Sequence, residues 1–155
     1  MTRQVSVIGA SAGDDELLAK AEAIGRGLAE AGLTIVCGGM GGVMEAASKG
    51  ATEAGGEAIG ILPYQSLDEG NEYLTHAIAT GIGQARNLAV VASGEVVVAV
   101  GGSWGTLSEI GFARKLERAV ISVDSWGLER AGEELGIVEV DTAAEAVQAA
   151  VEALP

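Results

Sequence analysis

Short β-branched apolar runs alternate with longer alanine-rich stretches along the chain. Such runs are strands buried on both faces, and helices between them supply the cover, so the alternation predicts a mostly parallel sheet. Strands are expected at Val5–Gly9, Leu33–Cys37, Glu57–Leu62, Leu74–Ala79, Glu95–Val100, Ala119–Asp124 and Ile137–Val140. Helices are expected at Asp14–Ala31, Gly42–Ala54, Gly83–Ala92, Thr106–Glu117 and Thr142–Leu154. Gly32 and Gly55 follow helical runs where a left-handed C-cap is wanted, and Thr142-x-x-Glu145 has capping-box spacing. The resulting fold class is α/β: a doubly wound, Rossmann-like sheet with helices on both faces, in one domain spanning residues 1–155. The longest irregular connection, Leu62 to Tyr73, holds Pro63 and Tyr64 and serves either as a binding loop or as a plain surface link.

Composition narrows the function. With 48% hydrophobic residues, the 155-residue chain fills one core and leaves no room for a second catalytic domain. Cys37 and His76 are the only residues of their kinds, which excludes an internal disulfide and the usual zinc ligand sets. No leader pattern or apolar run of about 18 residues is present, so a soluble cytoplasmic protein without a membrane partner is expected. A formal charge of -13 argues against nucleic acid as a partner and fits a solubility adaptation such as life in high salt. An anionic ligand must then be held by local donors, helix N-termini and a few arginines.

Three expected strands run into small-residue turns that open helices: Gly9-Ala10-Ser11-Ala12-Gly13, Gly38-Gly39-Met40-Gly41-Gly42 and Gly101-Gly102-Ser103-Trp104-Gly105-Thr106. Turns at the carboxyl edge of an open α/β sheet line its ligand crevice, and glycine lets backbone amides approach a phosphate. Their plain alternative is tight chain reversal in a chain with 24 glycines. G-x-G-x-x-G is absent after the first strand, and Gly38 stands where an acidic residue would grip a ribose, so NAD and FAD in the usual mode are not expected. The P-loop motif is also absent. Ser11 and Ser103 formally centre G-x-S-x-G, but the only base is His76, expected as a partly buried structural residue of the fourth strand. A serine hydrolase is therefore a minor alternative.

The two turns Gly38-Gly39-Met40-Gly41-Gly42-Val43-Met44-Glu45-Ala46 and Gly101-Gly102-Ser103-Trp104-Gly105-Thr106-Leu107-Ser108-Glu109, with Arg86 between them, resemble the LOG family over nearly the whole chain. The resemblance implies a nucleoside 5′-monophosphate ligand and cleavage of its N-glycosidic bond. It implies Arg86 and Glu109 as the catalytic pair and Gly101–Thr106 as the phosphate turn, with no required cofactor. It also implies a homodimer or higher homo-oligomer, which the apolar helices after the second and fourth strands support. Val100 replaces the family's proline, Asn87 follows the arginine, and the Gly-Thr-Leu-Ser-Glu-Ile form is similar to a sister branch that includes molybdenum-cofactor carriers. That branch implies a bound phosphorylated pterin without turnover. Each key residue has a plain alternative: Glu109 as a capping-box partner of Thr106, Arg86 as a surface residue, Glu45 as compensation of a helix dipole. Trp104 is either a ring for stacking on a base or an oligomer contact.

Overall fold

The strand Val96–Val100 is five buried residues long and carries no polar side chain, so its two faces must both be covered. It lies in a sheet of seven parallel strands in the computed structural model, which describes residues 1–155. These are β1 (Gln4–Gly9), β2 (Thr34–Cys37), β3 (Ala58–Leu62), β4 (His76–Ala79), β5 (Val96–Val100), β6 (Ala119–Val123) and β7 (Ile137–Val140). Their spatial order is β4-β3-β2-β1-β5-β6-β7. The chain winds outward from β1 in one direction and then returns to build the other half, setting β5 against β1 with Val5 beside Val96. The helices are α1 (Asp15–Glu30), α2 (Val43–Glu53), α3 (Arg86–Ser93), α4 (Trp104–Lys115) and α5 (Ala143–Glu152).

Two hydrophobic clusters divide the helices between the faces. Ile24 and Leu28 of α1, Ala47 and Ala51 of α2, and Ala146 and Ala150 of α5 pack on one face. Val90 and Val91 of α3 with Ile110 and Ala113 of α4 pack on the other. Doubly wound topology is thus the physical outcome of the apolar pattern, as the sequence predicts. Gly32 and Gly55 take positive φ after α1 and α2, and both halves of the Thr142–Glu145 capping box form.

Four details differ from expectation. Helix α4 begins at Trp104 with Ser103 as its N-cap, earlier than the expected Thr106. Glu109 is then too far along the helix to cap it, which removes the capping-box reading. His76 is exposed on the sheet-edge strand β4 rather than partly buried, because no helix covers that edge on its side. The apolar side of α2 is used up inside the chain: Gly25 and Gly50 allow the α1 and α2 backbones to touch, and a Cβ at either would overlap the other helix. Oligomerisation therefore draws no support from α2.

Candidate functional site

β1 and β5 are neighbours whose following turns lead to opposite sides of the sheet, and a crevice opens between those turns. A cavity of about 390 Å³ occupies it. Gly9 at the end of β1 and Ser11 after it, Gly38 and Met40 after β2, and Ser103, Gly105 and Thr106 at the start of α4 all line it. Arg86 and Asn87 of α3 and Glu109 of α4 complete its charged and polar wall. Gly9 is required by close approach, since a Cβ there would overlap the Val100 carbonyl of the adjoining strand.

The turns are tied to one another as well as to the sheet. Ala10 donates its amide to Val100 O at 3.3 Å, and Val43 donates to Ala10 O at 2.9 Å. The segment after β3 joins them: the Asn71 amide donates to Gly39 O at 2.9 Å and its side chain to Met40 O at 3.0 Å. Pro63 and Tyr64 of that segment stand in the cavity wall, so the long connection contributes to the site as well as linking β3 to β4. Six predicted residues lie outside the wall. Gly13 leads into α1, Gly39 packs over Gly60 and Leu62, Gly41 sits near Ser11 and Glu45, and Gly101 and Gly102 form the positive-φ bend behind Ser103. Trp104 turns its ring away from the cavity onto Trp126, with centroids 5.1 Å apart.

The three turns differ in how far the helix N-terminus they lead into is already occupied. Asp14 caps α1 by accepting from the Leu17 amide at 2.9 Å, and Asp15 and Glu16 follow in its first turn. The leading amide of α2 is spent on Ala10, and Glu45 lies in its first turn. Helix α4 has no capping side chain and no acid in its first turn. The amides of Trp104, Gly105 and Thr106 bond no protein group, so unpaired N–H groups and the positive end of the helix dipole meet at the cavity.

Arg86 sits at the first residue of α3 and is only 8% exposed. Its Nη1 donates to Asn87 Oδ1, and its Nη2 donates to Gly38 O at 3.4 Å and lies 3.9 Å from Met40 Sδ. The buried Nε has no partner, which leaves a cation with spare donor capacity in the wall. Burial pulls its pKa below the ordinary guanidinium value, opposed chiefly by Glu109. Asn87 is itself buried and accepts from Arg86; a lysine there would place a second cation against the first. The Glu109 carboxyl is pushed up to about 7 by burial, with Arg86 holding it down in part. It accepts no hydrogen bond from the protein and forms no ion pair with Arg86. Near neutral pH the cavity thus holds one firm positive charge and one carboxyl near its midpoint.

No histidine lines the cavity. His76 begins β4, at the opposite end of the strands from Ser11 and Ser103, and bonds only Thr75. Neither serine has a base, which removes the hydrolase alternative built on G-x-S-x-G. Composition gave no direct signal for Met44, Gln84 or Tyr64 in the wall; only the proline and tyrosine in an unusually long connection marked the last.

The fold and site define a doubly wound α/β domain with a cavity walled by glycine-rich turns at its topological switch point. The chain belongs to the SLOG cluster4 family, which matches residues 2–151. It is similar to an uncharacterized protein of Archaeoglobus fulgidus, 42% identical over 120 residues, 77% of this chain and 79% of that one. Among solved structures it is similar to the molybdenum cofactor binding protein of Rippkaea orientalis, with a TM-score of 0.87 and 29% identity over 98% of this chain and 97% of that one. It is also similar to the molybdenum cofactor carrier protein of Chlamydomonas reinhardtii, with a TM-score of 0.87 and 30% identity over 98% of each chain. No helix is long and apolar enough to cross a membrane.

Proposed function

We propose that the chain binds and carries a phosphorylated pterin of the molybdenum-cofactor type, with the phosphate on the N-terminus of α4 and beside Arg86. The observation that carries this reading is the bare start of α4, whose free amides face a cavity with an under-used buried guanidinium. Both are donors without acceptors, which is the complement of a phosphate monoester. The similarity to carriers of that cofactor favours a pterin over other phosphorylated heterocycles. In this reading Gly9, Ser11, Gly38, Met40, Ser103, Gly105 and Thr106 line the ligand, and Arg86 grips its anion. Asn87 orients Arg86.

Mass spectrometry of small molecules co-purifying with the protein, followed by calorimetry with a pterin phosphate and with AMP, tests it. Preferred binding of the pterin phosphate with no base released from AMP is the expected result. Binding of neither compound would end the reading.

A second reading is supported by Glu109. A carboxyl near its midpoint at neutral pH, buried beside an arginine, is suited to stabilise a ribosyl cation or to protonate a leaving base. The activity would be cleavage of a nucleoside 5′-monophosphate to base and ribose 5-phosphate. Release of ribose 5-phosphate by the wild type, lost in Glu109→Gln with binding retained, would establish it over the carrier reading. Self-association is proposed through the side of the sheet that carries only two helices, where Ile78, Leu88, Phe112 and Leu116 are exposed. Light scattering tests this, and a monomer at micromolar concentration would defeat it.

A further inference from the structure

The segment between β6 and β7 reaches back to the turn that begins α4, although neither Ser125 nor Trp126 stands in the cavity wall. Asp124, the residue after β6, has φ 48, a left-handed conformation that costs a non-glycine residue free energy. Lys20 of α1 holds its carboxylate at 2.6 Å. This kink turns the chain over the glycine bend. Ser125 Oγ then donates to Gly101 O at 2.5 Å, and Trp126 Nε1 donates at 3.0 Å to Ser103 O, which also accepts the first bond of α4 from the Leu107 amide at 3.0 Å. The indole is not free to drift, because it packs on the same core cluster as α4 and against the Trp104 ring.

Within a trans peptide the carbonyl of one residue and the amide of the next point in opposite directions. Anchoring the carbonyls of Gly101 and Ser103 on the β6–β7 side therefore aims the amides of Gly102 and Trp104 away from it. Both amides lack a protein partner, and although Gly102 and Trp104 lie outside the cavity wall, Ser103 between them lies in it. We infer that Ser125 and Trp126 are positioning residues of the anion site: their two hydrogen bonds orient the peptide groups that open α4, so its free amides are set for a phosphate before one arrives. Preorganised donors bind an anion without a reordering cost, and losing one such bond is worth about 1 kcal/mol. The inference rests on reading the start of α4 as the phosphate seat.

The test compares wild type, Ser125→Ala and Trp126→Phe, the last keeping an aromatic ring without the donor. Affinities for AMP and for adenosine are measured by calorimetry, and amide shifts of Gly102 and Trp104 are followed by NMR during titration with inorganic phosphate. Each variant is expected to lose roughly fivefold in AMP affinity, with adenosine affinity unchanged and the phosphate-induced shifts of the two amides reduced. Thr142→Ala, which weakens the cap of α5 and alters no residue of the cavity wall, serves as the control for mere destabilisation. Variants that lose thermal stability like this control yet keep wild-type AMP affinity and phosphate shifts would overturn the positioning role alone. Failure of the wild type to bind AMP, inorganic phosphate or a pterin phosphate would instead overturn the phosphate seat itself, and the positioning role with it.

Discussion

The helices on the two faces of the sheet begin differently. On one face α1, α2 and α5 each carry an acid in the first turn, and α1 and α5 add a side-chain cap. On the other, α3 and α4 have neither, and both begin at the cavity. A cap satisfies amides that would otherwise go unpaired and stabilises a helix by about 1 kcal/mol. The same satisfaction removes those amides from use by a ligand. In a chain of formal charge -13, acids thus stand at the helix starts on one face and are absent from the two that open at the cavity.

The contrast can be broken most forcefully at Glu109. The folded carboxyl keeps its proton to about 7, whereas an unfolded glutamate releases it near 4.5. Between those values the folded state binds more protons, so stability falls as pH rises through the window. Glu109→Gln has no such proton to lose and is expected to exceed wild type by about 3 kcal/mol above pH 7. That corresponds to a rise in Tm of roughly 6–12 °C, and the gap should close below about pH 4.5. Thermal melts across pH measure it; an unchanged or lower Tm at pH 8 would show that the carboxyl is not held neutral by burial.

Arg86→Ala probes the donor on the neighbouring helix. Loss of charge-assisted hydrogen bonds should weaken a phosphorylated ligand by roughly 10- to 100-fold, read by calorimetry, while the unphosphorylated compound is little affected. Ser103→Asp would convert the bare terminus into a capped one. It is expected to stabilise α4 by up to about 1 kcal/mol and to weaken phosphate binding roughly tenfold, so Tm and affinity move in opposite directions. The smallest effect is expected at the other pole of the comparison: Thr142→Ala should cost about 1 kcal/mol in Tm-derived stability with ligand affinity unchanged. A loss of affinity there would mean the two classes of helix start are not independent.

Much of this arrangement was legible in the chain. Strand β7 falls at its expected bounds, and the double winding follows from apolar runs too uniform to face water. Arg86 and Glu109 were found through a resemblance; on pattern alone Glu109 resembled a capping residue, because spacing cannot locate a helix start to within two residues. Trp104 lay in the right turn, but nothing in the order of residues says which way a ring at the first helical position points. Its partner Trp126 was invisible for a related reason: it meets α4 on the same face of the sheet from a segment with no periodic pattern of its own. His76 was misplaced because burial depends on which strand lies at the edge, and edge position is decided by topology that local pattern does not carry.

The strand order also sets when the site comes into being. Val5 lies beside Ile35 on one side and beside Val96 on the other, so β1 meets its first neighbour through a local crossover and its second only after most of the chain has been laid down. Long-range closure is the slower event. The half containing β1 to β4 already holds the turns after β1 and β2, and α3 packs on β1 to β3 with Arg86 bonded to Gly38 O, while the bare end of α4 and Glu109 belong to the half that docks through β5. The cavity is a seam between the two, and ligand-binding competence during refolding is expected to lag the recovery of helical circular dichroism.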